Sequence, residues 1–494
     1  MMKKMKIFDL FKETGIKFDY LKFKNKIITG IEDASDKVEK NNLFVCIKGN
    51  SNDGHNYVNE AIKNGAEIIV GEKKLKLKKA IYIRVKNSKQ TLLKLVEKFY
   101  NDIIKKAKII GITGTKGKTT VSYLIDSLLK EQFKKPNSII GTIKYIIGNK
   151  QYNADTTTPS LVRINKLIAE SVNKNINDII IEMSSHALHQ GRVNNLKIDK
   201  AVITNIKRDH LDYHKTFNGY FSAKMKILDL IKKDGLVILN IDDEHSHRII
   251  KQIKNRRLNY ITYSINEKAD INLLSYKSDI YGSKGELNIF NKKIIFDTPL
   301  IGLHNIYNIM AAIGAVIDRV NIKTIKKVLK NFSTVKGRLE KIYDKDFFVF
   351  VDYAHTPDSM EKVLDTLNKI KTGKIITVFG AGGNRDKGKR PLMGKVAEKL
   401  SDVVIITSDN PRFENPDNII RDILKGIKRE KNIFVEPDRK KAIKFAIRIA
   451  EKKDIVVLFG KGHEKYQIIK DKKIKFSDEK IALSEIKKRE EIWN

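Results

Sequence analysis

Residues 108–120 read KIIGITGTKGKTT and run on as VSYLIDSLLK to residue 130. The apolar run Lys108 to Ile112 predicts a strand. Gly111, Gly114 and Gly117 predict a tight turn, and Lys118-Thr119-Thr120 opens a helix. That order makes a phosphate cradle: glycines let the backbone aim N–H groups inward, the helix N-terminus adds a partial positive charge, and Lys118 adds a full one. A triphosphate suits it. The spacing departs from the common Walker pattern, because five residues separate Gly111 from Gly117 and two separate Gly114 from Gly117. The plain alternative is a turn of small residues with no ligand, and the strand before it and helix after it weigh against that.

Around this stretch, from residue 90 to 335, buried-looking strands alternate with helices: IIGITG, DIIIEMSS, KAVITNI, GLVILNID and YITYS. Continuous β-branched runs separated by helices predict a mostly parallel sheet covered on both faces, with ligands at the carboxyl ends of its strands. The motifs fall there. Gly114, Thr115, Lys116 and Gly117 follow one strand, Glu182-Met183-Ser184-Ser185-His186 end another, and Thr204-Asn205 with Arg208-Asp209-His210 end a third.

A further α/β unit begins near Val335-Lys336-Gly337-Arg338, and its strands FFVFVDYA, KIITVFGA, DVVIITSD and IVVLFG each end in polar or Gly-rich residues. Before residue 90, LFVCIKG and AEIIVGE alternate with helical patterns such as YVNEAIKNG, as in a small α/β domain. The expected fold class is α/β, with domains at 1–89, 90–335 and 336–494. The central one is a P-loop-type, mostly parallel sheet, the last is Rossmann-like, and the active site is expected in an interdomain cleft.

The bulk composition sets limits. The chain has 494 residues, 41% of them apolar, which is ample for several cores. No apolar run approaches the roughly 20 residues that span a bilayer, and the start MMKKMKIFDLFKETG lacks a secretory h-region. A cytoplasmic location without membrane association is expected. Cys46 is the single cysteine; in LFVCI it reads as a buried thiol, and it excludes a disulfide framework or a multi-thiolate metal site within one chain. The net charge of +38 comes mostly from lysines spread along the chain and interleaved with acids, so solvated helix faces are favoured over nucleic-acid binding. A monomer acting on small, polyanionic molecules is expected.

A phosphate cradle calls for Mg²⁺, which prefers oxygen ligands. Thr119 offers a hydroxyl and Glu182 a carboxylate; His210, in RDHLDYH, is either a third contact or a hydrogen-bonded cap. Ser184, Gln190 and Arg192, with Thr157 and Thr158 on a loop, suit a sugar, peptide carboxylate or phosphate, although each alone also reads as a loop cap. Arg385 in GGNRDKGKRP and Arg412 in DNPR are suited to clamp carboxylates, and Glu464 to accept from an ammonium, so a zwitterionic amino acid fits; locally paired surface arginines are the alternative.

These residues also carry a resemblance. GITGTKGKTT, TTP, EMSSHAL with Arg192, TNIKRDHLDYH, FSAK, HNIYN, VKGRLE, DYAHTPDS, GGNRDKGKRPLM, DNPRFENP and GKGHEKYQ occur in the order seen in the Mur ligases. From about residue 25 to about residue 480 the chain resembles that family, most closely its tripeptide-forming members. The resemblance implies three domains, for the uridine nucleotide, for ATP and for the amino acid. It also implies phosphoryl transfer from ATP to the D-glutamate carboxylate of a UDP-muramoyl dipeptide, then attack by an amine on the acyl phosphate. It gives Lys118, Glu182, His210 and Lys224 catalytic roles, with Mg²⁺ near Thr119, Glu182, His210 and Lys224, the last carried as a carbamate. It makes Gly114 to Thr120, Asn305, Arg338 and Asp352 the ATP contacts; Thr157, Thr158, Ser184, Gln190 and Arg192 the muramoyl-dipeptide contacts; and Arg385, Asp409, Asn410, Arg412, Gly460 and Glu464 the amino-acid pocket.

The DNPR form resembles enzymes that add meso-diaminopimelate, whose distal carboxylate would pair with Arg412; L-lysine lacks that group, whereas a diacid such as lanthionine shares it. One departure stands out: where the family often has Asp-Ser-Arg and a later Gly, this chain has Ala34-Ser35-Asp36 and Asn41. Ser35, and His55 beyond it, are the uridine-site contacts that carry over. A folylpolyglutamate synthetase and a nucleic-acid-dependent ATPase are the competing readings, and TTP, EMSSHAL and DNPR argue against the first.

Overall fold

The computed structural model describes residues 4–12, 14–16, 23, 25–49, 52–428 and 431–493. Its chain forms two compact units, one of Met1–Lys118, Phe133–Leu239 and Asp243–Ile261, the other of Thr119–Gln132, Asn240–Asp242 and Thr262–Asn494.

The first unit opens with a four-stranded parallel sheet of Gly30–Glu32, Asn42–Val45, Ala66–Gly71 and Ile81–Arg84, in that order. Phe44 and Ile69 from it, with Cys46 just past its second strand, pack with Val58 and Ala61 of the short helix Val58–Lys63 into a small core. The larger sheet carries the chemistry. At its centre β1 (Lys108–Thr113) leads through the glycine turn into α1 (Lys118–Phe133). Next come β2 (Asp178–Glu182) with α2 (Ser185–Gln190), then β3 (Ile198–Ile203), then α3 (Phe217–Met225). The strand order is Lys150–Asn153, Lys144–Ile147, Ser138–Ile140, β2, β1, β3, Ile231–Asn240. The first two pairings are antiparallel and the rest parallel.

Register explains why three motifs share an edge. Glu182 sits opposite Ile112 and Ile203 opposite Thr113, so the loops after β1, β2 and β3 leave the sheet at one level. Isoleucines fill these strands because both faces are covered, and residues 109–113 are all buried. Gly111 is corrected here: it belongs to β1, where a Cβ would lie 3.0 Å from the Met183 side chain, and only Gly114 and Gly117 shape the turn.

In the second unit Ile271–Ser278, Ser283–Ile289 and Lys292–Thr298 form an antiparallel ribbon that the parallel-sheet expectation did not foresee. The remaining sheet contains β4 (Phe348–Asp352), β5 (Ile375–Phe379), β6 (Val403–Ile406) and β7 (Ile455–Phe459). Its order is Glu340–Asp344, β4, β7, β5, β6, Ile433–Val435, antiparallel only at the first pair. Successive residues of β4 alternate between two cores, Phe348 and Phe350 in one, Val349 and Val351 in the other, as a sheet helix-covered on both sides requires. The last strand, β7, inserts between β4 and β5, so Gly460, Asp352 and the loops after β5 and β6 gather at one edge.

Candidate active site

The glycine turn is fastened from the end of β3. Thr115 N–H donates to Asn205 O (2.8 Å), Lys116 N–H to Asn205 Oδ1 (3.0 Å), and Thr204 Oγ1 to Lys116 O (2.7 Å). A Cβ on Gly114 (φ +152°) would stand 1.9 Å from Thr204 Oγ1, so only glycine allows this approach. Lys118 Nζ donates back to Gly114 O (2.8 Å) and Thr115 O (3.2 Å), which holds its charge over the turn.

Lys224 arrives at the same point from α3. Its side chain is 2% exposed, its Nζ donates to Gly114 O (2.7 Å), and it lies 4.8 Å from the centre of the Tyr220 ring. Burial, and then the charge of Lys118, holds its amine well below the usual lysine range, against a smaller pull from Asp209. Beside it, Asp209 is pushed up by burial but held low overall by His210, Lys116 and Lys118. His210 takes a left-handed backbone (φ +52°) at the start of the turn Leu211–His214, with Nε2 3.8 Å from Asp209 Oδ2; burial keeps its ring below the ordinary histidine value.

Glu182 ends β2 fully buried. Thr142 orients it, donating its N–H to Oε1 (3.1 Å) and its hydroxyl to Oε2 (2.8 Å), and a Cβ on Gly141 would come within 2.3 Å of Oε1. Neither Thr142 nor Gly141 was legible as a site residue. Among the described residues no group of three or more His, Cys, Asp or Glu side chains is arranged to hold a metal ion.

The dipeptide-binding candidates form one connected set. Thr158 Oγ1 donates to Glu182 O (2.7 Å) and accepts from Ser184 N–H (3.0 Å); Thr157 Oγ1 meets Thr142 Oγ1 at 3.1 Å. Ser184 Oγ caps α2 by accepting from Ala187 N–H (3.2 Å), and Arg192 Nη1 donates to Thr158 O (2.8 Å). Gln190 Oε1 accepts from Arg192 Nε and Nη2, and Gln190 Nε2 donates to Tyr213 Oη (3.1 Å). Tyr213 lies 4.2 Å from the His186 ring, itself 4.9 Å from the His210 ring, which ties this set to the lysine pair. Tyr213 and His186 belong to the site without having been singled out. Farther away, Ser35 Oγ donates to Glu60 Oε2 (2.6 Å), and His55 bonds Asp53 through Nδ1 while Nε2 accepts from Glu72 and Lys73 N–H, so its ring is fully engaged within the fold.

In the second unit Arg338 Nη2 donates to Thr119 Oγ1 (3.4 Å), and its guanidinium lies 4.9 Å from the Tyr353 ring. Arg338 Nε and His463 Nδ1 are buried without a hydrogen-bond partner among the described residues. Asp352 accepts from Leu339 N–H (2.6 Å) and Ala354 N–H (2.7 Å), so it ties the chain entering this sheet to the end of β4. Asn305 Nδ2 donates to Ile301 O and Oδ1 accepts from Asn308.

Asp409, Asn410, Gly460 and Glu464 meet around Lys461. Its Nζ donates to Asn410 Oδ1 (2.8 Å) and Glu464 Oε2 (2.7 Å) and lies 3.7 Å from Asp409 Oδ1. Arg412, at φ +54°, donates through Nη1 to Gly383 O (2.9 Å) and has no carboxylate partner among the described residues. A Cβ on Gly382 would lie 3.0 Å from Arg412 Nη1 and 3.6 Å from Arg385 Cγ, so this glycine separates the two arginines. Arg385 is exposed, whereas the neighbouring Arg390 is buried and paired with Glu414 and Asp422.

Family models match along the chain: "Mur ligase family, catalytic domain" at 27–113, "Mur ligase middle domain" at 112–316 and "Mur ligase, glutamate ligase domain" at 337–462. The UDP-N-acetylmuramoyl-L-alanyl-D-glutamate--2,6-diaminopimelate ligase of Clostridium botulinum is 40% identical over 480 residues, 96% of this chain and 98% of that one. The chain belongs to the Mur ligase family. The same-named ligase of Aquifex aeolicus is 41% identical over 94% of each chain. A solved structure of that name matches this Mur ligase at 30% identity with a TM-score of 0.70, covering 98% of this chain and 100% of the other. In this Mur ligase the motifs quoted from the sequence lie at strand ends, Glu182 at the end of β2 and Asp352 at the end of β4.

Proposed function

We propose that this Mur ligase uses ATP to join meso-diaminopimelate to the D-glutamate of UDP-N-acetylmuramoyl-L-alanyl-D-glutamate, a step of peptidoglycan precursor synthesis. The observation that carries this reading is the convergence of Lys118 and Lys224 on Gly114 O beside Asp209 and His210, in a chain about 40% identical to ligases of that name. The D-glutamate carboxylate attacks the γ-phosphorus of ATP, ADP leaves, and an acyl phosphate forms. The amine of the amino acid then adds to the acyl carbon, and phosphate departs from the tetrahedral adduct. Lys118 and the turn amides stabilise charge on the transferring phosphoryl group.

Lys224 suits carbamate formation. A buried amine whose proton is held less tightly than usual gives up its lone pair more readily, adds to the carbon of CO₂, loses a proton and becomes an anion opposite Lys118. With that anion, Glu182 and the Thr119 hydroxyl would offer the oxygen donors that Mg²⁺ takes and His210 a less usual nitrogen donor, and the ion would offset phosphate charge. Thr157, Thr158, Ser184, Gln190 and Arg192 hold the muramoyl dipeptide, with Ser35 toward the uridine; Gly114 to Thr120, Asn305, Arg338 and Asp352 hold ATP. Arg385, Asp409, Asn410, Arg412, Gly460 and Glu464 hold the amino acid. Three functional domains, 1–89, 90–335 and 336–494, acting as a monomer in the cytoplasm, complete the reading. No helix among the described residues is long and apolar enough to cross a membrane.

L-lysine is the second substrate to weigh. Arg412 opposes it, because its half-buried guanidinium has no carboxylate partner among the described residues and lysine would leave it without one. Phosphate release tests the whole reading. It should require the UDP-muramoyl dipeptide and the amino acid together, with no stimulation by DNA or RNA and none by a pteroylglutamate acceptor. Release driven by nucleic acid or pteroylglutamate would overturn it.

A further inference from the structure

Lys461 has no exposed surface, yet it carries a charge into the amino-acid pocket between two carboxylates. A buried lysine is costly unless the groups around it need its charge. Its Nζ engages Glu464 Oε2, which also accepts from Asn410 Nδ2 (3.1 Å), and it approaches Asp409 Oδ1. Asn410 is fully committed, its Oδ1 accepting from Lys461 Nζ and Ile468 N–H. Two acceptors stay open. Asp409 Oδ1 is buried without a hydrogen bond, and Glu464 Oε1 accepts none among the described residues. Gly460, at φ +105°, lets the Asp409 carboxylate pack against the backbone, since a Cβ there would lie 2.8 Å from Asp409 Oδ2.

The charge count is simple. Nearby Arg439 is neutralised by Asp478, with which it forms two hydrogen bonds, and His463 is neutral near pH 7, its pKa held to about 4 by burial and by Arg338 and Lys461. With Arg412 kept for a substrate carboxylate, Asp409 and Glu464 against Lys461 therefore leave one net negative charge. One ammonium balances it.

We propose that Lys461 is a positioning residue that sets amino-acid specificity. It fixes Asn410 and one oxygen of Glu464, cancels one of two carboxylate charges, and leaves one acceptor oxygen on each of Asp409 and Glu464 for a single substrate ammonium. This rests on the ligase reading above and assigns a role to a residue outside the amino-acid contacts named there. Without Lys461 two adjacent carboxylates repel, and the pocket loses both its geometry and its match to one cation.

The test compares 2,6-diaminopimelate with 2-aminopimelate, which keeps both carboxylates and lacks one ammonium. Wild-type enzyme should prefer the diamino compound by at least 100-fold in kcat/KM. In Lys461→Met that preference should fall below about 10-fold, with the diaminopimelate KM raised at least 10-fold and the KM values for ATP and the UDP-muramoyl dipeptide changed less than 2-fold. A merely structural role would weaken both amino acids equally and keep the ratio, and an unchanged ratio overturns the proposal. If Lys461→Met fails to fold, Lys461→Gln, similar in length and uncharged, is read by the same ratio. Wild-type enzyme that makes no product from diaminopimelate would instead overturn the ligase reading, so the two failures are distinguishable.

Discussion

Lys118 and Lys224 donate to a single acceptor, the carbonyl oxygen of Gly114, at 2.8 and 2.7 Å. Two full positive charges so close, one of them wholly buried, repel, and the repulsion is relieved when Lys224 gives up its proton. The sign for stability follows. The unfolded lysine titrates at its ordinary value and the folded one well below it, so between those values the unfolded chain binds more protons and stability rises with pH. Lys224→Met should therefore raise the melting temperature at pH 7, by an amount that shrinks as pH approaches the ordinary lysine range. A stability gain that grows with pH would contradict this.

Removing the Lys224 amine should also cost activity. Lys224→Ala should drop kcat by about 100-fold or more, with partial recovery in added short-chain carboxylic acids that replace the missing anion. Carbon-13-labelled bicarbonate should give wild-type enzyme a carbamate resonance that the variant lacks. Full activity in the untreated variant would remove Lys224 from the mechanism.

Thr142 holds both oxygens of Glu182. Thr142→Val deletes the hydroxyl donor while nearly keeping volume, and should raise the Mg²⁺ concentration for half-maximal rate about 10-fold, the usual scale for a residue orienting a metal-binding carboxylate. Gly141→Ala drives a methyl group against Glu182 Oε1 and should be worse. An unchanged Mg²⁺ requirement in both variants would mean Glu182 does not meet the metal.

Arg412→Ala removes a guanidinium that no carboxylate of the described chain satisfies. Losing a charge-assisted pair of hydrogen bonds, worth about 2–3 kcal/mol, should raise KM for diaminopimelate about 100-fold while the KM for the UDP-muramoyl dipeptide stays within about 2-fold. Equal losses for both substrates would take the specificity argument away from Arg412.

His463 gives a prediction on acid stability. Burial first, then Arg338 and Lys461, holds its pKa at about 4 against 6.5 unfolded, so its contribution is complete above the unfolded value and lost as pH falls from about 7 toward 4. One proton gives a slope of up to about 1.4 kcal/mol per pH unit there. His463→Phe should flatten the fall of melting temperature over that range, and an unchanged pH profile would show that His463 titrates normally in the folded protein.

The parts of the site legible in sequence were those whose residue types announce their chemistry: the glycine turn with Lys118, Glu182 closing an isoleucine strand, and Arg412 in DNPR. Lys224 was visible only through the resemblance, because a chain with 97 basic residues offers no compositional reason to choose one lysine, and its burial exists only once α3 packs. Lys461 and Thr142 were missed for a related reason. Each acts on a residue already chosen, Lys461 on Asn410 across 51 positions and Thr142 on Glu182 across 40, distances that spacing cannot read, while the nearer pairing of Lys461 with Glu464 needs the burial that only the fold supplies. Gly111 was placed in the turn because a glycine before a glycine-rich loop resembles part of it, whereas its lack of a Cβ serves packing against Met183.

The claim on which the rest depends is that this chain extends a muramoyl dipeptide by one diamino diacid. Purified enzyme given ATP, Mg²⁺ and UDP-N-acetylmuramoyl-L-alanyl-D-glutamate should be offered meso-diaminopimelate, lanthionine, L-lysine and L-ornithine separately, and the product weighed by mass spectrometry. The account predicts a tripeptide product with meso-diaminopimelate, less or as much with lanthionine, and little with the two monocarboxylic acids. A tripeptide formed as readily with L-lysine as with meso-diaminopimelate, or no product with any of them, would contradict it.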